Sequence, residues 1–286
     1  MSHPPKAAAK AAPKVVVRSL VALSAVALVL GACNREKDKP ADAPGAPPAV
    51  AAVEPAAPMA YESKSPYADV SLTLPEALKT QPDLHAALYA EEVRTLRQFV
   101  EGAQGERTEA GFDEDRPPYE KKIIVTAAAE TDRLLSLKRL DFDFSGGAHP
   151  NTLRNGLLWS KADKKRLGFD DIFAGGDRTA LDRALCAAIN TAKKARSPNT
   201  PPVTLTGSDW SCPRAAATPF VLTPGSVPGK AAGVTFLIGP YQVGPYSDGA
   251  YEIALPLSVF RTLLNPAYAD QFGGELTRSG DVTPTN

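Results

Sequence analysis

Two hydrophobic periods open the folded region, first that of a strand and then that of a helix. Over residues 67–74 (YADVSLTL), every second residue from Val70 onward is apolar, which is typical of a half-buried strand. Over residues 83–103, apolar residues recur mostly every three or four positions, which places them on one stripe of an amphipathic helix. His85 lies beside this stripe, and we expect its side chain at the helix surface.

Two β-rich runs then predict a hairpin, over residues 119–129 and 134–144. In the second run, from Leu135 onward, the apolar positions are odd-numbered up to Leu137 and even-numbered afterwards. Side chains alternate between the two faces of a strand, so an extra residue would explain this change of parity. We therefore expect a β-bulge near Lys138 and Arg139.

The rest of the folded region also alternates strands and helices. We expect strands over residues 153–159, 234–238 and 250–255, a long helix over 177–196 that begins with Asp177 as its N-cap, and a short helix over 256–264. Hairpins with helices set between them indicate an α+β fold, with antiparallel sheets and packed amphipathic helices.

We divide this α+β region into two closely associated subdomains, residues 61–160 and 161–274. A polar tail follows over residues 275–286, and we expect its end, from Arg278 onward, to fray.

The N-terminal 32 residues have the pattern of an export signal. Four basic residues precede an apolar stretch over residues 19–30, and they are Lys6, Lys10, Lys14 and Arg18. A helix of that length would rise only about 18 Å, against a hydrocarbon core of about 30 Å, so we interpret the segment as a signal peptide and not as a membrane span.

The signal ends in Leu30-Gly31-Ala32-Cys33, which resembles the lipobox of bacterial lipoproteins. This resemblance implies that Cys33 receives a lipid and becomes the mature N-terminus; a secreted protein with a chance cysteine at the cleavage site is the alternative. Asn34 follows in place of Asp, which favours an outer-membrane anchor facing the periplasm. The Pro/Ala-rich residues 33–60 contain no aromatic residue and are predicted to be an extended tether.

The charge balance changes once the signal is set aside. The whole chain has 32 basic and 32 acidic residues, and all four charges of the signal are positive, so the remainder has a formal charge of −4. A weakly acidic protein lacks the basic surface that neutralises phosphates, which argues against a nucleic-acid partner.

Export also bears on the two remaining cysteines, Cys186 and Cys212. Two cysteines in an oxidising envelope compartment are expected to pair, so we predict a disulfide between them. The alternative is a buried, unpaired Cys186 on the core face of its helix.

Two loops concentrate the candidate recognition chemistry. The first, over residues 145–151, combines adjacent glycines with a histidine and an asparagine; its candidate ligand-binding residues are Ser145, Gly146, Gly147, His149 and Asn151. The second, over residues 239–249, presents Tyr241 and Tyr246 on a Gly/Pro scaffold. Either loop could instead be a tight turn whose side chains pack and hydrogen-bond locally. A metal site of Asp141, Asp143 and His149 is a further alternative for the first loop, although this spacing is weak support for one.

These loops and their order resemble a known family. GGAHPN after a strand, LGFDDIF, and then TFLIGPYQVGPYSDGAYEIALPLSVFRTLL are similar to the paired domains of lysozyme-sensing RsiV-type anti-sigma factors, which also precede the catalytic domain of PdaC-type peptidoglycan deacetylases. The resemblance covers residues 67–264 and implies an α+β envelope protein linked to lysozyme or peptidoglycan. The chain lacks the sigma-binding segment and the deacetylase domain, so neither activity is carried over.

No catalytic or nucleotide-binding motif occurs in the sequence: HExxH, GxSxG, GxGxxG and the phosphate loop are all absent, so we expect no cofactor and no metal. We expect a lipid-anchored, non-catalytic binding protein that recognises lysozyme or another muralytic enzyme, or peptidoglycan itself. The alternative is an envelope hydrolase that cleaves cell-wall glycan through paired carboxylates.

Overall fold

The computed structural model describes residues 56–284, which form two sheets and several helices. The signal peptide, Cys33 and most of the predicted tether lie outside these described residues. The first sheet has six strands in sequence order: β1 (Ala60–Lys64), β2 (Ala68–Thr73), β3 (Tyr119–Glu130), β4 (Leu134–Phe144), β5 (Asn151–Ser160) and β6 (Lys165–Leu167). All neighbours are antiparallel except β2 and β3, which run parallel.

The parallel step between β2 and β3 is made by the long helix α1 (Pro82–Glu109). Pro82 occupies its first turn, where a missing N–H is tolerated. Its apolar stripe is buried, including Leu84, Leu88 and Leu96, and the helix packs against β2 and β3. His85 is not at the surface as expected: its ring is 3% exposed, and Nε2 lies 3.1 Å from the carbonyl oxygen of Pro58.

The second sheet has four antiparallel strands in the order β10-β9-β8-β7: β7 (Phe220–Pro224), β8 (Ala231–Ile238), β9 (Tyr251–Pro256) and β10 (Gly280–Asp281). Every residue of β8 is buried. The remaining α-helices are α2 (Phe169–Ile172), α3 (Thr179–Arg196) and α4 (Leu257–Phe260). The predicted N-cap is one residue too early, because Arg178 is the N-cap of α3 and makes no side-chain cap bond. Asp177 lies just before it, and its Oδ1 accepts the N–H of Thr179 at 2.8 Å.

The elements stack as helix, sheet, sheet and helix. One face of the first sheet meets α1, its other face meets β7, and α3 packs on β9 and β10 of the second sheet. Gly156 of β5 permits the close approach of the sheets, because a Cβ at that position would lie 1.8 Å from the carbonyl oxygen of Phe220. The predicted α+β class is confirmed.

Two local predictions are wrong. The pairing of β4 with β5 is continuous through Lys138 and Arg139, and the irregularity in the first sheet lies in β3, between Ala127 and Ala129. The tail is also not wholly frayed. β10 pairs with β9, and the carboxylate of Asp281 receives a hydrogen bond from Arg196 Nε at 2.9 Å.

Within residues 56–284, no helix has the length and apolarity needed to cross a bilayer.

Candidate functional site

The two loops singled out in the sequence meet in space. His149 and Tyr246 stack, with ring centroids 3.7 Å apart and planes inclined by 12°. His149 Nε2 lies 3.1 Å from the hydroxyl of Tyr241. We call these three residues, His149, Tyr241 and Tyr246, the aromatic cluster. It joins positions that are 92 residues apart in the sequence.

Backbone geometry builds the cluster from both sides. In the turn between β4 and β5, Gly146 and Gly147 adopt φ angles of 88° and 102°, a region that favours glycine. The second loop is held across to this turn, because the Tyr246 hydroxyl donates to the carbonyl of Pro150 at 2.9 Å. Val243, 1% exposed, anchors the middle of the second loop in the core.

Tyr241 is the outermost member of the aromatic cluster. Its side chain is 54% exposed, and its φ of 64° is unusual for a residue other than glycine. This backbone conformation raises the free energy of the folded state, and residues that adopt it are concentrated at functional sites. Tyr246 is half-buried under His149, so the cluster has an inner, structural ring and an outer, exposed ring.

The hydrogen bonds of His149 fix the tautomer of a neutral ring. The Nδ1 atom lies 3.2 Å from the carbonyl oxygen of Pro150, which can only accept. Nδ1 therefore carries the proton, and Nε2 accepts from the hydroxyl of Tyr241. This arrangement orients the exposed tyrosine through the histidine.

The other predicted loop residues lie around this cluster without joining it. Ser145 and Gly146 line a separate cavity of about 380 Å³, which Arg107 also lines. Gly147 is in the exposed turn, and Asn151 opens β5 opposite Asp143.

Arg107 was missed by the sequence analysis. Its guanidinium is buried beside the cavity and donates to four backbone carbonyls, namely those of Tyr67, Asp113, Arg116 and Pro117. These bonds hold the segment between α1 and β3 in place.

The metal alternative finds no support in the geometry. Asp141 accepts from Arg139, Asp143 lies 3.6 Å from Lys121, and His149 is engaged with two tyrosines. Within residues 56–284, no group of three or more potential ligands is close enough to hold a metal ion.

A buried ion cluster explains the change of parity that suggested a bulge. Arg139 and Asp141 lie on the same face of β4 as Leu137, the face that α1 covers. Arg139 bridges two carboxylates, donating from Nη1 to Glu92 and from Nη2 to Asp141, both at 2.7 Å. The polar residues are therefore turned inward, and the strand needs no extra residue.

Glu92, on α1, is the most unusual member of this cluster. Its side chain is 1% exposed, and its Oε2 atom has no hydrogen-bond partner among the described residues. Burial raises the pKa of the Glu92 carboxyl above its ordinary value, against the opposing attraction of Arg139.

The predicted disulfide between Cys186 and Cys212 is present, with Cα atoms 5.3 Å apart. It ties α3 to the irregular segment that follows. Asn190, one turn further along α3, holds the same segment through both its amide groups: Nδ2 donates to the carbonyl of Val203, and Oδ1 accepts the N–H of Val203, both at 2.8 Å.

Comparison with known proteins bears on part of the chain. Residues 170–258 match a family model described as Protein of unknown function (DUF3298). This segment contains both tyrosines of the aromatic cluster and both disulfide cysteines, but not His149. A search of curated proteins finds no significant match.

Two solved structures are similar to this chain. A DUF3298 family protein from Pseudomonas aeruginosa PAO1 is 16% identical, with a TM-score of 0.52 over 76% of this chain and 94% of that one. A DUF3298 family member from Bacteroides fragilis NCTC 9343 is 19% identical, with a TM-score of 0.48 over 71% and 88% of the two chains. Residues 170–258 thus match the DUF3298 family model, and the chain shares its fold with a solved DUF3298 family protein.

Proposed function

We propose that this chain is a lipid-anchored, non-catalytic binding protein of the bacterial cell envelope, and that it recognises a muralytic enzyme such as lysozyme through the aromatic cluster. The observation that carries the proposal is the convergence of the two loops. An exposed tyrosine is oriented by a histidine from the other loop, at 3.1 Å, and both loops are clamped by a further tyrosine.

The shape of the cluster favours a protein partner over a small ligand. Tyr241 stands 54% exposed. Tyrosine supplies a large contact area with few rotatable bonds, and it is among the residues that dominate protein interfaces. Holding it in position before binding lowers the entropy lost on association.

Charge and sequence resemblance support the same proposal. With its signal set aside the chain has a formal charge of −4, which favours a basic partner. The loops also carry the GGAHPN and GPYQVGPYSDG sequences that resemble lysozyme-sensing RsiV-type proteins. The proposed lipid on Cys33 would hold the binding module at the membrane, beyond the predicted tether.

The hydrolase alternative has less support. It needs two carboxylates that face a substrate. Glu92, the described carboxylate with a raised pKa, is closed off from solvent and bonded to Arg139. We therefore base the proposal on binding.

The test is the affinity of the full chain for lysozyme, measured by isothermal titration calorimetry. Tyr241→Ala is the sharpest variant, because the side chain is mostly exposed and its removal leaves Tyr246 to clamp the loops. We expect a loss of affinity of about 30-fold, as for a contact tyrosine in an interface, with the melting temperature nearly unchanged.

Val227→Ala is the matched control, since Val227 is an exposed apolar residue, 42% exposed, in the turn between β7 and β8. It should bind as the parent does. No measurable association between the parent and lysozyme would refute the proposed partner. Equal affinities for the parent and Tyr241→Ala would refute the proposed surface.

A further inference from the structure

A second candidate recognition feature borders the loop of residues 239–249. A groove of about 590 Å³ runs between residues 197–210 and the stretch from Val243 to Pro245. We call it the Trp210 groove, since its largest exposed side chain is Trp210, which is 38% exposed. None of the three residues of the aromatic cluster lines it.

One wall of the Trp210 groove is held rigidly. The disulfide ties Cys212, two residues beyond Trp210, to α3, and Asn190 holds Val203 by two hydrogen bonds. Trp210 itself closes a tight turn, because a Cβ on Gly207 would lie 2.2 Å from the carbonyl oxygen of Trp210. The indole is therefore presented by a constrained backbone.

The floor of the groove is a buried ion pair. The Lys193 side chain is 3% exposed, and its Nζ donates to the carbonyl of Val243 at 2.5 Å and to Asp248 at 3.0 Å. Gly244 leaves room for this pair, since a Cβ there would lie 2.2 Å from Asp248 Oδ2. The groove is thus formed before any ligand arrives.

From this geometry we infer that the Trp210 groove binds a pyranose ring of a glycan strand. A sugar ring has an apolar C–H face that stacks on an indole, and hydroxyl groups at its edge that need polar partners. Here Trp210 lies beside prolines, and the polar partners Asn199, Ser208 and Asp209 line the same groove.

The charges in the groove favour a neutral or hydroxyl-rich ligand. Among residues 56–284, Lys193 is the one cation that lines it, and its charge is matched by Asp248. Asp209 then leaves a net negative charge, which repels phosphates and carboxylates. The volume of about 590 Å³ lies within the range of about 300–1,000 Å³ that is usual for ligand pockets.

This glycan site goes beyond the protein partner proposed above and can be tested apart from it. The chain has two tryptophans, and the other, Trp159, is 8% exposed and donates from Nε1 to Gln81 at 3.2 Å. A change in intrinsic fluorescence on ligand addition would therefore come chiefly from Trp210.

The experiment titrates the full chain, without lysozyme, with chitotetraose, an oligomer of N-acetylglucosamine. We expect a shift of the tryptophan emission in the parent and none in Trp210→Phe, in which only the buried Trp159 emits. By calorimetry, Trp210→Ala should bind the oligomer at least about tenfold more weakly. Trp210→Phe should bind with intermediate affinity, because it keeps an aromatic face. Val227→Ala is again the control.

Several results would overturn this inference. One is an unchanged emission of the parent at millimolar chitotetraose, and another is equal affinity of the parent and Trp210→Ala for the oligomer. A third is an emission shift produced instead by a synthetic peptide of residues 40–58, which would identify the groove as a site for the chain's own Pro-rich segment. If Trp210→Ala melts early, the comparison rests on Trp210→Phe. Failure to bind lysozyme would leave this site untouched, and failure to bind the oligomer would leave the lysozyme proposal untouched.

Discussion

Removing the disulfide should cost a large part of the stability of this protein. The perturbation is the double substitution Cys186→Ala and Cys212→Ala. The two cysteines are separated by 26 residues, and loop-closure entropy for that separation gives about 3.5 kcal/mol at about 25 °C. Both side chains are buried, at 9% and 3% exposed, so the lost packing adds roughly 1 kcal/mol.

The expected loss of about 4.5 kcal/mol is large because domains of this kind are stable by only about 5–15 kcal/mol. The folded geometry should nevertheless survive, since Asn190 also holds Val203 to α3 through two hydrogen bonds. The cross-link is therefore expected to act mainly through the unfolded state, which it keeps compact.

The assay is equilibrium unfolding in urea, followed by circular dichroism. The midpoint should fall, and the slope m should rise, because an unfolded chain without the cross-link exposes more surface. The parent in a reducing agent should lose nearly as much stability as the double variant. Cys212→Ala alone should behave like the double variant, since the first substitution already breaks the bond.

A double variant within about 1 kcal/mol of the oxidised parent would refute this reasoning. An unchanged m together with a lowered midpoint would assign the loss to packing and not to the cross-link.

Three further predictions concern the sheet contact, the buried ion cluster and the anchor. Gly156→Ala should destabilise the protein by about 1–3 kcal/mol, because the added Cβ would lie 1.8 Å from the carbonyl oxygen of Phe220. Gly105→Ala in α1 should instead stabilise the protein by about 0.5–1 kcal/mol, because its Cβ would meet nothing within 4 Å. Thermal melts in which the two variants shifted alike would contradict this prediction. Because the folded-state pKa of Glu92 is raised, its favourable contribution is complete below the unfolded value near 4.5 and is lost as pH rises through the folded pKa. The stability of the parent relative to Glu92→Gln should therefore fall as the pH rises above 4.5, and urea melts that showed it rising would be inconsistent with this cause. Cys33→Ser should abolish incorporation of radiolabelled palmitate, and incorporation that persists would show that the lipobox interpretation is wrong.

The local periods in the sequence were enough to locate most of the regular elements. Apolar spacings over only a few residues predict α1, the hairpin of β3 and β4, and α3. Such a spacing identifies the buried face of an element without information on the element that packs against it. The disulfide was also predictable, because setting Cys33 aside as the proposed lipid site leaves two cysteines and a single way to pair them.

The strands that were missed are short or depend on a distant partner. β10 has two residues, and it exists because the strand edge of β9 and the Arg196 side chain are available to it. No apolar pattern marks such a segment. The parity change in β4 was visible in the sequence, but its cause, the Arg139 bridge to Glu92, lies 47 residues away.

The candidate site divides in the same way. The sequence by itself determined that two Gly-rich loops carry His149, Tyr241 and Tyr246, since glycine and proline mark turns locally. Only the tertiary structure decided that these loops meet across 92 residues, that Tyr241 is exposed while Tyr246 clamps, and that Trp210 faces a groove. The physical reason is that contacts between loops depend on the order and stacking of the strands that carry them, and long-range packing has no local period to reveal it.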